Sequence, residues 1–143
     1  MIQFAFWSGL RTSELCGFDW ADVDWIRGTV HVRFVLTRGL EEPEQDTKTA
    51  AGEREVKLLP PAMEALQAQK SFTFLKNREV FQNPKSGERW MGPNPIGLMW
   101  ASALRRTKVR YRNQYQTRHT YASTLLMAGE HVMWVSKQMG HKD

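Results

Sequence analysis

The pattern of apolar and polar positions divides the chain into a helical start, a β-rich centre and a helical end. Residues 2–7 (IQFAFW) form an apolar run free of Gly and Pro, which predicts the end of a helix that Gly9 closes. A second, short helix is expected through Leu15, with Thr12 or Ser13 as its cap. The N-terminal part of the chain is therefore predicted to be helical.

The centre of the chain carries the pattern of strands. Residues 29–36 (TVHVRFVL) alternate and are rich in β-branched side chains, as is typical of a strand. A second strand is expected within residues 38–49, where Pro43 confines it to a sheet edge. Residues 54–58 (REVKL) predict a short third strand, and residues 19–25 read as a turn-rich connection. The three strands predict a small antiparallel sheet.

The remaining sequence favours helices separated by proline and glycine. Pro60 and Pro61 suit the first turn of a helix, and Gly129 and Gly140 end the last two. The helices are expected at residues 62–71, 95–108, 117–127 and 132–139. Helices, a three-stranded sheet and further helices in 143 residues predict a single, mainly helical α+β domain.

Composition narrows the class of partner. Twenty Lys and Arg against fifteen Asp and Glu give a net charge of +5, which favours a polyanion such as nucleic acid, although an ordinary basic domain has the same balance. A single cysteine, Cys16, excludes a disulfide framework and a zinc site built from several thiolates. No apolar run approaches the roughly 20 residues that cross a bilayer, so we expect an intracellular chain without a membrane partner.

Three short motifs put charged or titratable side chains at helix ends. Arg11 follows a glycine turn, and Glu14 lies one helical turn further on, near enough to hold the guanidinium. Arg118 and His119 begin a helix whose next turns are apolar, and His141 follows the glycine that ends the last helix. Each motif alone also fits a solvated ion pair or an ordinary histidine.

Taken together and in this order, the motifs resemble the signature of the tyrosine recombinase, or phage integrase, catalytic domain. The family's first arginine lies in a Gly-Leu-Arg-x-x-Glu-Leu string, which residues 8–15 (SGLRTSEL) match. Its second box corresponds to residues 118–123 (RHTYAS), and its Leu-Gly-His box to residues 139–141 (MGH). A lysine between the second and third strands belongs to the same set, and Lys48 occupies that place. The resemblance covers essentially the whole chain.

The resemblance implies a role for each matching residue. Arg11 and Arg118 would clamp a DNA phosphate, with Glu14 orienting Arg11. Lys48 would protonate the leaving 5′ oxygen, and His141 would bind a non-bridging oxygen or help to manage the nucleophile's proton. The candidate catalytic residues are Arg11, Glu14, Lys48, Tyr115, Arg118 and His141. No metal is expected, because the arginines supply the positive charge. The resemblance implies that a phosphotyrosyl link conserves the bond energy, so no nucleotide cofactor is expected either.

The chain departs from the family pattern in two places. Tyr115 stands where the family most often has histidine, and its phenol is a poor base at neutral pH, so a structural role stays open. The family's nucleophile is a tyrosine beyond the Gly-His box, a place that none of Tyr111, Tyr115 and Tyr121 matches. We therefore expect a catalytic domain truncated at both ends, without an amino-terminal DNA-clamping domain.

Basic residues outside the motifs are predicted to contact the DNA backbone, with a solvated helix face as the alternative. They are Arg38, Lys57, Arg105, Arg106, Lys108, Arg110 and Arg112. The resemblance implies site-specific recombination of phage or mobile DNA through a 3′-phosphotyrosyl intermediate, performed on duplex DNA by a homotetramer at the nucleoid in the cytoplasm. The rival interpretation is a non-catalytic DNA-binding remnant or a regulatory relative.

Overall fold

Six α-helices and two small antiparallel sheets make up the part of the chain that this computed structural model describes, residues 1–35, 44–45, 53–76 and 78–141. The helices are α1 (Ile2–Ser8), α2 (Thr12–Gly17), α3 (Pro60–Thr73), α4 (Pro93–Arg106), α5 (Gln116–Met127) and α6 (Val132–Met139). The strands are β1 (Val23–Asp24), β2 (Thr29–Val32), β3 (Phe34–Val35), β4 (Glu44–Gln45) and β5 (Arg54–Lys57).

The three-stranded sheet has the order β1–β2–β5, and both pairings are antiparallel. Val30 at its centre lies opposite Val23 on one side and Val56 on the other. Val30 and Val56 are fully buried, so one face of the sheet packs into the main core. The sheet thereby fixes the position of Arg54, at the start of β5, relative to the helices.

The strand prediction is partly wrong. The segment predicted as one strand over residues 29–36 is interrupted at Arg33, whose side chain turns to the buried carboxylate of Asp22. After this break β3 pairs with β4 in a separate two-stranded sheet. The third strand of the main sheet is β1, which lies in the segment interpreted as turns. The sequence does not predict this strand, because two residues are too few to show an alternating pattern.

Two hydrophobic clusters form the core. The larger one joins α1, α2, α3 and the main sheet, with Phe4 stacked on Phe18 at 5.4 Å between ring centroids. The smaller one lies between α5 and α6 and contains Tyr121 and Leu125. Tyr121 packs its ring against Gly9, where a Cβ atom would lie 2.5 Å from the ring. Glycine is required there both for this approach and for its positive φ of 66°.

The predicted helix ends need two corrections. Neither Thr12 nor Ser13 is the N-cap of α2. Thr12 is already the first residue of the helix, and Arg11 is its N-cap. The backbone N–H of Arg11 instead donates to Glu14 Oε2 at 2.7 Å. This is the hydrogen bond that the N3 side chain of a capping box accepts from the N-cap backbone. Helix α4 spans Pro93–Arg106 rather than residues 95–108, and Lys108 follows it with a positive φ of 55°.

Cys16 is buried, and burial raises the pKa of its thiol to about 12. The thiol is therefore protonated at neutral pH and unreactive. In the described ranges, no helix is both long and apolar enough to cross a bilayer.

Candidate active site

The Glu14 carboxylate is the centre of a buried cluster of charges. Its side chain is 1% exposed, and four N–H groups surround its two oxygens. Arg11 donates from its backbone N at 2.7 Å and from Nη1 at 2.9 Å. Arg54 donates from Nη1 to Oε1 at 2.8 Å and from Nη2 to Oε2 at 3.0 Å. One carboxylate thus fixes two guanidinium groups that come from different elements of the fold.

Two opposing effects act on the pKa of Glu14. Burial alone would raise the pKa of this carboxyl group. The hydrogen bonds and positive charge of Arg54, followed by those of Arg11, outweigh burial and hold the pKa below its ordinary value. Glu14 is therefore ionised at neutral pH, and it offsets part of the repulsion between its arginine partners.

The carboxyl end of α6 is held by three arginine side chains. The last carbonyl groups of a helix have no partner within the helix, and they carry the negative end of its dipole. Three consecutive carbonyls here each accept a hydrogen bond from a different guanidinium. The pairs are Arg54 Nε to Gln138 O at 2.8 Å, Arg118 Nη2 to Met139 O at 2.9 Å and Arg11 Nη2 to Gly140 O at 2.9 Å.

Arg118 lies deepest in the cluster, with 1% of its surface exposed. Its Nη1 donates to Gly9 O at 2.6 Å, and its Nη2 lies 3.2 Å from His141 Nε2. The Tyr115 ring centroid lies 5.6 Å from its Cζ, within the range of a cation–π contact. Burial lowers the pKa of Arg118, but an arginine starts so high that the group stays charged at neutral pH.

His141 is exposed at the edge of the cluster. Partial burial and then the charges of Arg118, Arg11 and Arg54 lower the pKa of its imidazole, and His119 adds to the effect. Because its ordinary value is 6.5, His141 is neutral at pH 7. A neutral imidazole can donate from one ring nitrogen and accept a proton at the other.

The cluster carries a net positive charge and is partly open to solvent. Three guanidinium groups and one carboxylate leave a net charge of +2. The Arg11 side chain is 32% exposed, so an anion can approach from solvent at Arg11 and His141. Parallel N–H donors match the oxygens of a phosphate group. Within the described part of the chain, no group of three or more His, Cys, Asp or Glu side chains is suited to a metal ion.

The structure brings together most of the predicted site residues. Arg11, Glu14, Arg118 and His141 lie in one cluster, and Tyr115, which is 42% exposed, covers its edge. The predicted residues Lys48 and Arg38 lie outside the described residues.

Arg54 is the member of the cluster that the sequence interpretation missed. Its position carries a signal, because Arg54 and Val56 share the inward face of β5 while Glu55 and Lys57 point outward. A charged residue on the inward face of an amphipathic strand requires a buried partner. The partner is Glu14.

The predicted DNA-binding residues that the structure describes are exposed, unlike the buried and part-buried arginines of this cluster. Lys57 is exposed, and its backbone N–H donates to Gln138 Oε1 at 2.8 Å. The other five are exposed around the connection from α4 to α5, and none of them forms an ion pair with a described residue: Arg105, Arg106, Lys108, Arg110 and Arg112. We call residues 105–112 the basic segment. Trp100 Nε1 anchors it by donating to Arg112 O at 2.6 Å.

Comparison with known proteins decides the family. The model of the phage integrase family matches residues 1–143. This chain belongs to the phage integrase family. It is 36% identical to the prophage integrase IntR of Escherichia coli (strain K12), over 98% of this chain and 39% of that protein. The chain thus spans about two fifths of the length of the curated relatives that it matches.

Solved structures of integrases share the fold. The Tn1549 transposon integrase in complex with circular intermediate DNA matches with a TM-score of 0.85 and 21% identity, over 99% of this chain and 51% of that one. A lambda integrase tetramer bound to a Holliday junction matches with a TM-score of 0.68 and 14% identity, over 99% and 40%. The predicted mainly helical α+β fold of a tyrosine recombinase catalytic domain is therefore confirmed.

Proposed function

We propose that this chain is the catalytic domain of a site-specific DNA recombinase, in which Arg11, Arg118 and His141 bind the phosphate where the strand is cut. The observation that carries the proposal is the convergence of two guanidinium groups from distant parts of the sequence. Arg11 Nη2 and Arg118 Nη2 donate to the adjacent carbonyls of Gly140 and Met139, each at 2.9 Å. Because the two groups bind neighbouring carbonyls at one helix end, we infer that both can reach a single phosphate, whose oxygens match guanidinium donors.

The reaction explains why fixed guanidinium groups are useful. A tyrosine hydroxyl attacks phosphorus and forms the 3′-phosphotyrosyl bond, while the bond from phosphorus to the 5′ oxygen breaks. The tyrosine loses its proton, and the 5′ oxygen gains one. Negative charge grows on the non-bridging oxygens in between, and arginines already in place stabilise it without reorganisation. Enzymes acting on such slow reactions lower the barrier by up to about 20 kcal/mol.

His141 and Lys48 are the residues proposed for the proton transfers. His141, neutral at pH 7 and beside Arg118, would donate a hydrogen bond to a non-bridging oxygen or accept the tyrosine proton. Lys48 remains the proposed acid for the 5′ oxygen. Tyr121 does not serve as the attacking tyrosine, because its hydroxyl is buried and its pKa is raised to about 12. The bond energy is kept in the phosphotyrosyl link, so no nucleotide cofactor is required.

Duplex DNA is the proposed partner, held by the exposed cations of the basic segment and by Lys57. Exposed lysines and arginines without ion pairs bind phosphates by releasing counterions. We further propose that the protein works as a homotetramer at the nucleoid in the cytoplasm. The tetramer proposal is supported by the fold shared with the lambda integrase, which was solved as a tetramer on a Holliday junction.

The test uses the protein expressed from its complete reading frame and a nicked duplex that carries its recombination site. The nick lets the released strand diffuse away, so a covalent protein–DNA adduct accumulates and survives denaturation. We expect an adduct from the wild type and none from Arg118→Lys, because a point charge does not replace a planar fork. Arg27→Lys is the matched control, since Arg27 forms an exposed ion pair with Glu55. A full adduct yield from Arg118→Lys would remove Arg118 from the site.

The rival function is DNA binding without cleavage, and Tyr115 is the observation that favours it. A phenol replaces the usual histidine beside Arg118, and a phenol is a weak proton acceptor at neutral pH. The same experiment separates the two functions. A wild type that retards the duplex in a gel but yields no adduct supports the rival and contradicts the recombinase.

A further inference from the structure

Arg54 joins two parts of the candidate site, in addition to the link that Arg11 makes between Glu14 and Gly140 O. Its side chain is 8% exposed, and each of its three nitrogens donates a hydrogen bond. Nη1 and Nη2 bind the two oxygens of Glu14 at 2.8 and 3.0 Å. Nε binds Gln138 O at the end of α6, at 2.8 Å. A single planar group on β5 therefore contacts both α2 and α6.

Each of these contacts leads to a residue of the proposed phosphate site. The Glu14 carboxylate also accepts hydrogen bonds from the backbone N–H and the side chain of Arg11. The end of α6 carries His141, three residues after Gln138. Arg54 thus lies between the groups that orient Arg11 and those that orient His141.

The Arg54 guanidinium packs closely against Gly140. A Cβ atom on Gly140 would lie 2.7 Å from its Nη1 and 2.8 Å from its Cζ. The guanidinium therefore lies directly against the Gly140 backbone, beside the carbonyl that Arg11 binds. Lys57 N and Gln138 Oε1 form a second link between β5 and α6, at 2.8 Å. The strand and the helix end are aligned as one unit.

We propose that Arg54 is a positioning residue for DNA cleavage, which aligns Arg11 with His141 by binding Glu14 and the end of α6 at once. This inference rests on the proposed function, because it concerns the rate of that reaction. Three hydrogen bonds in one plane require a guanidinium, so a lysine keeps the charge but loses most of the alignment. The role predicts slower cleavage with DNA affinity retained.

The experiment compares Arg54→Lys and Arg54→Gln with the wild type and with the Arg27→Lys control. Single-turnover cleavage of the nicked duplex is measured at saturating protein, together with DNA affinity and the melting temperature. We expect cleavage to slow at least tenfold in Arg54→Lys and further in Arg54→Gln. The dissociation constant for DNA should change less than about threefold, and rates are measured well below each melting temperature.

A double-mutant cycle then tests the route through which Arg54 acts. Arg54→Lys is combined with Arg11→Lys, and cleavage rates of the four proteins are compared. If Arg54 acts by aligning Arg11, its effect shrinks to less than about threefold once Arg11 is replaced. If Arg54→Lys instead acts through a general loss of stability, it slows cleavage by the same factor with Arg11 present and with Arg11→Lys. That result would overturn the positioning role.

The possible failures are distinguishable. An inactive wild type that still binds DNA overturns the proposed function, and this inference with it. An active wild type together with full-rate cleavage by Arg54→Lys overturns this inference alone. If Arg54→Gln fails to fold, Arg54→Lys and the cycle still decide the question, because both rely on a substitution that keeps the buried charge.

Discussion

Two groups of basic residues in this chain differ in what surrounds them. Arg11, Arg54 and Arg118 are fixed by a carboxylate and by three consecutive carbonyls at the end of α6. The arginines and lysine of the basic segment, residues 105–112, are exposed and form no ion pair with described residues. The charges are alike, but only the first group has its donors held at fixed positions.

The difference predicts different contributions to one reaction. Buried and oriented donors stabilise charge where it develops, so they affect the rate of a chemical step. Exposed cations add to affinity by counterion release, which depends on salt and little on geometry. Net charge alone, +5 for the chain, does not separate these roles. Substitutions that keep the charge and change its shape do separate them.

The largest expected effect comes from Arg11→Lys compared with Arg110→Lys. Lysine keeps the charge at both positions, but at Arg11 it cannot bind Glu14 and Gly140 O while also facing a phosphate. We expect cleavage of the nicked duplex to slow about 10²- to 10³-fold in Arg11→Lys and to stay within about twofold in Arg110→Lys. Equal rates for the two variants would contradict the distinction between the groups.

A smaller effect is expected from Gly140→Ala, with Gly129→Ala as the matched control. Both glycines have a positive φ, 67° and 90°, so alanine costs about 1–2 kcal/mol of backbone strain at either position. At Gly140 the new Cβ meets the Arg54 guanidinium, whereas a Cβ on Gly129 has no described atom within 4 Å other than those of its chain neighbours. We expect Gly140→Ala to slow cleavage about tenfold and Gly129→Ala to leave it unchanged. The same rate for both would show that the crowding at Arg54 is unimportant.

The pH dependence of stability tests the buried cluster without DNA. Arg54 and Arg11 hold the pKa of Glu14 below 4.5, so the native state binds fewer protons there than the unfolded state. The resulting stabilisation is present above pH 4.5 and is lost as the pH falls through the native pKa. The free energy of unfolding, measured with urea from pH 7 to pH 3, should fall less in Glu14→Gln than in the wild type, because this variant lacks the Glu14 contribution. The exposed-site control Glu88→Gln should keep that contribution. Parallel curves for wild type and Glu14→Gln would contradict the ion-pair account.

The smallest effect belongs to single residues of the basic segment. Arg110→Ala should weaken DNA binding and reduce the slope of log affinity against log salt by about 0.9, if Arg110 neutralises one phosphate. Lys76→Ala, at an exposed position after α3, is the control and should leave the slope unchanged. Binding by titration at 50–300 mM salt measures both quantities. An unchanged slope in Arg110→Ala would remove that residue from the DNA contact.

The sequence predicted the helices and much of the site because these depend on local signals. Glycine ends α1 and α6. Arg11 is the N-cap of α2, Arg118 lies in the first turn of α5, and His141 follows the end of α6. The family resemblance, on four short motifs, anticipated the family to which the chain belongs.

The errors came from contacts between distant residues. β1 is only two residues long and exists because β2 pairs with it, so its own sequence carries no alternating pattern. The sequence analysis places Arg54 in a strand but assigns it no role in the site, since its partners Glu14 and Gln138 lie far from it in sequence.

The most direct test of the central claim is a crystal structure of the protein bound to duplex DNA carrying its recombination site. The account predicts that Arg11 and Arg118 both donate, at about 3 Å, to non-bridging oxygens of one phosphate, with His141 at the same group. A structure in which the two guanidinium groups bind different phosphates, or in which neither reaches the DNA, would contradict the account.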